Sequence, residues 1–156
     1  SLGFEKAKTL ELGIANKINS YHVNGDDVIF TLDTHYDDYM DSYEGKHLPV
    51  PHCIENTDGH KLYGSVADCV SGEDIVFRKT AFGSDALYEY LKTACYGSVE
   101  LVGVVTNICV VANAVLAKTA LPDADIIVDS MLTASNDERL HNAALDTMEG
   151  MQIIIK

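Results

Sequence analysis

Gly103-Val104-Val105-Thr106-Asn107-Ile108-Cys109-Val110 sets a cysteine just past a short apolar run, where a helix should begin. Leu101 to Val105 is apolar and rich in β-branched residues, which reads as a buried strand. Thr106 and Asn107 are N-cap residue types, and no Gly or Pro occurs again until Pro122. A thiol in the first turn of a helix feels unpaired backbone N–H groups and the positive end of the helix dipole. Both favour the thiolate, which is the nucleophile. The same N–H groups can stabilise an oxyanion built on a carbonyl that the sulfur attacks. A buried structural cysteine gives the same local pattern. The rest of the chain favours the reactive reading.

Outward from this stretch, strands alternate with helices. Phe4, Ala7, Leu10, Ile14 and Ile18 recur at helical spacing, so one amphipathic helix is expected before Gly25. Strands are expected at Val28–Leu32, Asp74–Phe77, Leu101–Val105, Ile126–Val128 and Met151–Ile155. Ser84-Asp85 caps a helix reaching Cys95, a second helix runs from Cys109 to Ala120, and Asn136 opens a third reaching Met148. Between them lies a long Tyr-rich and His-rich segment, Asp33 to Ser71, of the length that is usually functional. This alternation predicts an α/β fold with a parallel sheet. Ligands bind such sheets at the carboxyl ends of the strands.

The 156 residues fit one domain, and 47% hydrophobic content is ordinary for a packed core. A net charge of −13 argues against nucleic-acid binding, which needs a basic footprint. There is no apolar run long enough to span a bilayer. No signal peptide opens the chain, so a cytoplasmic location is expected. Cys53, Cys69, Cys95 and Cys109 form no CxxC pair and read as reduced thiols.

Three clusters fall at strand ends. Asp33 and His35 are two apart on an extended segment, so both can face one ion. Glu44 and His52 come later in the long segment, with His47 as a rival ligand. Two imidazoles and two carboxylates suit zinc, iron or manganese better than magnesium or calcium. His22, His60 and His141 lack such context and read as surface residues. Lys79, two residues past a strand, is a candidate cation beside Cys109. Cys109 itself is the third cluster.

Asp33-Thr34-His35, Leu48-Pro49-Val50-Pro51-His52-Cys53, Arg78-Lys79-Thr80-Ala81-Phe82 and Gly103 to Val110 resemble, in order and spacing, the motifs of isochorismatase-like cysteine hydrolases. Nicotinamidases and pyrazinamidases are the branch they are most similar to, and the resemblance spans the whole chain. It implies a three-layer α/β/α Rossmann-like fold with a six-stranded parallel sheet. It implies a Cys-Lys-Asp triad in which Cys109 and Lys79 supply the first two members. It implies a divalent metal, zinc with iron or manganese as alternatives, on Asp33, His35 and His52, with Glu44 as a further ligand. The oxyanion donors are the N–H groups of Cys109 and Val105, the latter after a cis Val104–Val105 peptide.

That family begins with a strand ending in the catalytic Asp, then a turn. Ser1-Leu2-Gly3 resembles the chain just past that turn, so the single domain over 1–156 is expected to be N-terminally incomplete. A second departure concerns the aromatic residue that nicotinamidases carry shortly before the last metal His. Leu48 or Pro49 stands there, and Tyr36, Tyr39 or Tyr43 is the candidate replacement. The expected activity is release of ammonia from a small carboxamide, nicotinamide to nicotinate, through a thioester. A metal-free amidase or carbamoyl hydrolase of the same family is the alternative. A non-catalytic binding module is another, favoured only by the absent Asp. Vinyl-ether cleavage by an isochorismatase is disfavoured by Cys109. The expected partners are the amide substrate and further copies of the chain.

Overall fold

The computed structural model describes residues 2–156. Its order begins with α1 (Glu5–Thr9), α2 (Glu11–Asn24), β1 (Ile29–Asp33), α3 (Tyr43–His47), α4 (Gly64–Asp68) and β2 (Ile75–Lys79). It continues with α5 (Asp85–Ala94), β3 (Ser98–Val104), α6 (Val111–Ala120), β4 (Asp125–Ala134), α7 (Glu138–Gly150) and β5 (Ile154–Ile155). Every strand pair is parallel, so the α/β architecture stands. No described helix is long and apolar enough to cross a membrane.

Side-chain alternation along the strands sorts the layers. Ile126 and Val128 of β4 are fully buried in one core cluster with Leu87 and Leu91 of α5, Ala114 and Ala117 of α6, and Met148 of α7. Asp129, of opposite parity, faces the other way and meets Lys17 of α2 at 3.0 Å. Glu100 of β3 points to that second face too, bonded by Lys17 at 2.8 Å and by the Tyr21 hydroxyl at 2.6 Å. Helices therefore cover both faces.

The strands form two sheets, β1-β2 and β3-β4-β5. Among the described residues β1 ladders only with β2, and β3 only with β4. Where six strands were expected, the described residues form five. Two ties hold the sheets side by side. Helix α2 reaches β3 and β4 through Lys17, and reaches the start of β2 through His22 and Asp74 at 2.8 Å. Tyr96, just before β3, donates its hydroxyl to Asp27, just before β1.

Several boundaries differ from the periodicity reading. The opening helix breaks at Leu10, whose N–H bonds the carbonyls of Ala7 and Lys8. β4 runs ten residues rather than three because Gly103 and Val104 pair again with Thr133 and Ala134 after a register shift. Helix α7 starts at Glu138, two residues past the expected Asn136, with Asp137 as its cap accepting from the Leu140 N–H. The long segment is structured: it carries α3, α4 and two short 3-10 turns. The Ser84 cap on α5 is as expected, its hydroxyl accepting from the Leu87 N–H at 3.1 Å.

Candidate active site

β1 and β2 lie in register, with Asp33 opposite Lys79 at their carboxyl ends. Lys79 is a buried lysine at 4% exposure, which demands full pairing. Its ammonium donates to Asp33 Oδ1 at 3.1 Å, to the Ala81 carbonyl at 3.1 Å and to Cys109 Sγ at 3.4 Å. Three donors meet three acceptors. The cation that the sequence set two residues past a strand is in contact with the cysteine it was to activate.

Cys109 does not stand in an ordinary first helical turn. Thr106–Val110 forms a wide π-type turn that runs into α6, and the residue before it, Val105, is extended. The Val104–Val105 peptide bond is cis. Thr106 and Asn107 do not cap the turn with their side chains. The Thr106 hydroxyl instead meets His141 Nδ1 at 2.9 Å, a contact between two buried side chains. His141 is thus no surface residue; it packs α7 against the cysteine turn, and nothing in its local sequence marked it. Burial and the nearby Lys6 push its pKa down, against the opposing pull of Glu138.

The second half of Asp33 belongs to a different cluster. Asp33 Oδ2 lies 3.3 Å from His35 Nε2 and 3.5 Å from His52 Nε2. Glu44, at the start of α3, faces the same nitrogens at 3.8 and 3.5 Å. One donor atom from each of Asp33, His35 and His52 falls within 4.8 Å of the others. His52 Nδ1 is 2.8 Å from the Val50 carbonyl. A carbonyl only accepts, so Nδ1 carries a proton there and Nε2 is the nitrogen that faces the carboxylates. His35 Nε2 is buried with no hydrogen-bond partner. Two imidazole nitrogens and two carboxylates converging on one point fit a divalent transition ion. His47, the rival ligand, is turned elsewhere: it bonds the Tyr43 carbonyl at 2.8 Å and stacks on the Tyr43 ring.

Two supports of this cluster carry no local sequence signal. Tyr39 is 2% exposed, packs edge-on against both histidine rings at 4.7 and 5.1 Å, and donates its hydroxyl to the Leu48 carbonyl. Among the three tyrosines offered as a substrate platform, Tyr39 is therefore committed to the two histidines. Tyr36 and Tyr43 are exposed. His60, expected at the surface, lies 2.8 Å from the Thr34 hydroxyl, which itself donates to the Leu32 carbonyl. Thr34 is fully buried between Asp33 and His35, so this bond steadies the Asp33–His35 backbone. His22, also read as a surface residue, is half-buried against Asp74.

The four elements that converge here are the ones the sequence motifs named. Residues 5–155 match the family model described as the Isochorismatase domain. The chain belongs to the isochorismatase family. It is 31% identical over 150 residues to an isochorismatase family protein of Bacillus subtilis (strain 168), covering 90% of this chain and 80% of that one. A solved nicotinamidase of Bacillus subtilis is 26% identical with a TM-score of 0.84, over 97% of this chain and 86% of that one. A pyrazinamidase/nicotinamidase of Streptococcus mutans UA159 is 27% identical with a TM-score of 0.85, over 97% and 87%. This chain is an isochorismatase-family hydrolase of the nicotinamidase-like group.

Proposed function

We propose that this hydrolase releases ammonia from a small carboxamide, with nicotinamide as the first candidate, through a thioester on Cys109. The observation that carries the proposal is the buried Lys79 ammonium held 3.4 Å from Cys109 Sγ. A cation at that distance favours the thiolate over the thiol. The thiolate attacks the carboxamide carbon. Charge then develops on the carbonyl oxygen, where Lys79 and the N–H groups of Cys109 and Val105 hold it. The C–N bond breaks and ammonia leaves with the proton the thiol gave up. Water then cleaves the thioester to the carboxylic acid and restores the thiol. The family resemblance assigns the proton to the Asp of a Cys-Lys-Asp triad; among the described residues the carboxylate on Lys79 is Asp33.

Asp33, His35, Glu44 and His52 are the residues that would hold a divalent ion, zinc before iron or manganese. Once bound, it supplies a Lewis-acid contact for a substrate ring nitrogen or a water. Around it, Tyr39 and Thr34 hold the ligand side chains in place, and Lys79 holds Asp33.

The test is ammonia release from nicotinamide by the full-length protein, before and after chelation. Release that falls by about tenfold or more with chelator, and is lost in Cys109→Ser, is expected. Release that is unaffected by chelator moves the protein to a metal-free amidase of the family. No release from nicotinamide or other small carboxamides overturns the proposal.

A further inference from the structure

We propose that Asn113 is a positioning residue that sets the contact between Lys79 and Cys109; this rests on the reading of Cys109 as a nucleophile activated by Lys79. Asn113 lies one turn beyond Cys109 on α6 and is 4% exposed. Its side-chain nitrogen donates to the Cys109 carbonyl at 2.8 Å and to the Phe82 carbonyl at 3.2 Å. Its side-chain oxygen accepts from the Ser84 N–H at 2.9 Å. One amide thus ties together the two segments that carry the reacting pair: the turn bearing Cys109, and the connection from β2 to α5.

That connection is also what holds the ammonium. Lys79 begins it, and Lys79 Nζ donates to the Ala81 carbonyl in its middle. Fixing Phe82 and Ser84 against the Cys109 backbone therefore fixes the lysine against the sulfur. The chemistry required is that of an amide: two donors for two carbonyls and one acceptor for an N–H. A carboxylate can serve Ser84 but repels both carbonyls. An aliphatic side chain leaves three backbone groups without this partner, the fully buried Ser84 N–H among them. The two segments also meet at Gly83, where a Cβ would come within 2.8 Å of Leu116 Cδ1.

The experiment measures the iodoacetamide rate constant of Cys109 at pH 7, by peptide mapping, in the metal-loaded full-length protein. Four forms are compared: parent, Asn113→Leu, Lys79→Met and the double variant. Asn113→Leu should slow Cys109 by about tenfold, and the double variant should be no slower than Lys79→Met alone, because both changes remove the same contact. In turnover, kcat falls while KM holds. A merely structural role lowers the melting temperature and slows the Lys79→Met background by the same factor as the parent. That multiplicative result, or an unchanged rate in Asn113→Leu, overturns the proposal. Where Asn113→Leu does not fold, Asn113→Asp keeps the Ser84 acceptor, loses both donors and must show the same non-additive slowing. Intact coupling without ammonia release from any carboxamide overturns the amidase reading and leaves the clamp standing.

Discussion

Asp33 and Lys79 face each other across β1 and β2 and join their side chains at 3.1 Å, so one carboxylate serves both halves of the site. Its first oxygen holds the lysine that touches Cys109; its second faces His35 and His52. The His35–His52–Glu44 cluster and Cys109 are consequently linked through Asp33 and the lysine it holds.

Asp33→Ala should do two things at once. It removes a proposed ligand and leaves a buried ammonium without its carboxylate. Asp33 is a quarter exposed, so the stability cost is about 1–3 kcal/mol, below that of a fully buried pair. His52→Ala, whose imidazole touches no lysine, should lose metal with a smaller loss of stability. Elemental analysis and denaturant midpoints of the two apo proteins separate the cases. Equal stability of the two would show that the Asp33–Lys79 pair contributes nothing.

Cys109 should be alkylated faster than Cys53, Cys69 and Cys95. Cys53 is the informative control, since it sits beside the metal cluster. Burial, with Asp33 adding repulsion, pushes its thiol up to about 11. It should therefore remain protonated and unreactive at pH 8, while the thiol beside Lys79 reacts. Mass-spectrometric mapping after limiting iodoacetamide reads the order, and first labelling at Cys53 would count against the assignment.

His141 should make stability fall in mild acid. Its folded pKa is depressed, chiefly by burial, so between that value and 6.5 the unfolded chain binds more protons. Stability from this group is complete above about pH 6.5 and is lost as pH falls toward the folded value. His141→Gln can still meet Thr106 but does not titrate there. Urea midpoints at pH 7.5 and 5.0 should differ less in this variant than in the parent. An identical difference would assign the acid sensitivity to other groups.

Gly45→Ala should disturb the metal cluster from outside it. A Cβ at Gly45 would stand 2.1 Å from the Tyr39 carbonyl oxygen and 2.8 Å from Met40 Cα. Backbone must shift, at a cost of about 1–3 kcal/mol. The shift separates Glu44, next in the chain, from the ring of Tyr39 that supports the histidines. Metal affinity should drop at least about tenfold, read by competition with a chromophoric chelator. Parent-like affinity would mean that Glu44 and Tyr39 contribute little.

The strand-helix order, the Ser84 cap and the strand-end motifs were legible in the sequence because they are local. β-branched runs make strands, a serine before a helix satisfies its first N–H groups, and residues two apart in extended chain share a face. Cys109, Lys79, Asp33, His35, Glu44 and His52 could be singled out because each carries chemistry at a strand end or in the segment after one. Only the tertiary structure decided which of them meet. That Asp33 divides its two oxygens between Lys79 and the histidines comes from the β1–β2 register, which no local pattern encodes. The same holds for His141 under Thr106, Tyr39 behind the histidines, and Asn113 between Phe82, Ser84 and Cys109. Each of these side chains finds at least one partner well removed in the chain. Its role arises from burial, which forces a polar group to find those partners.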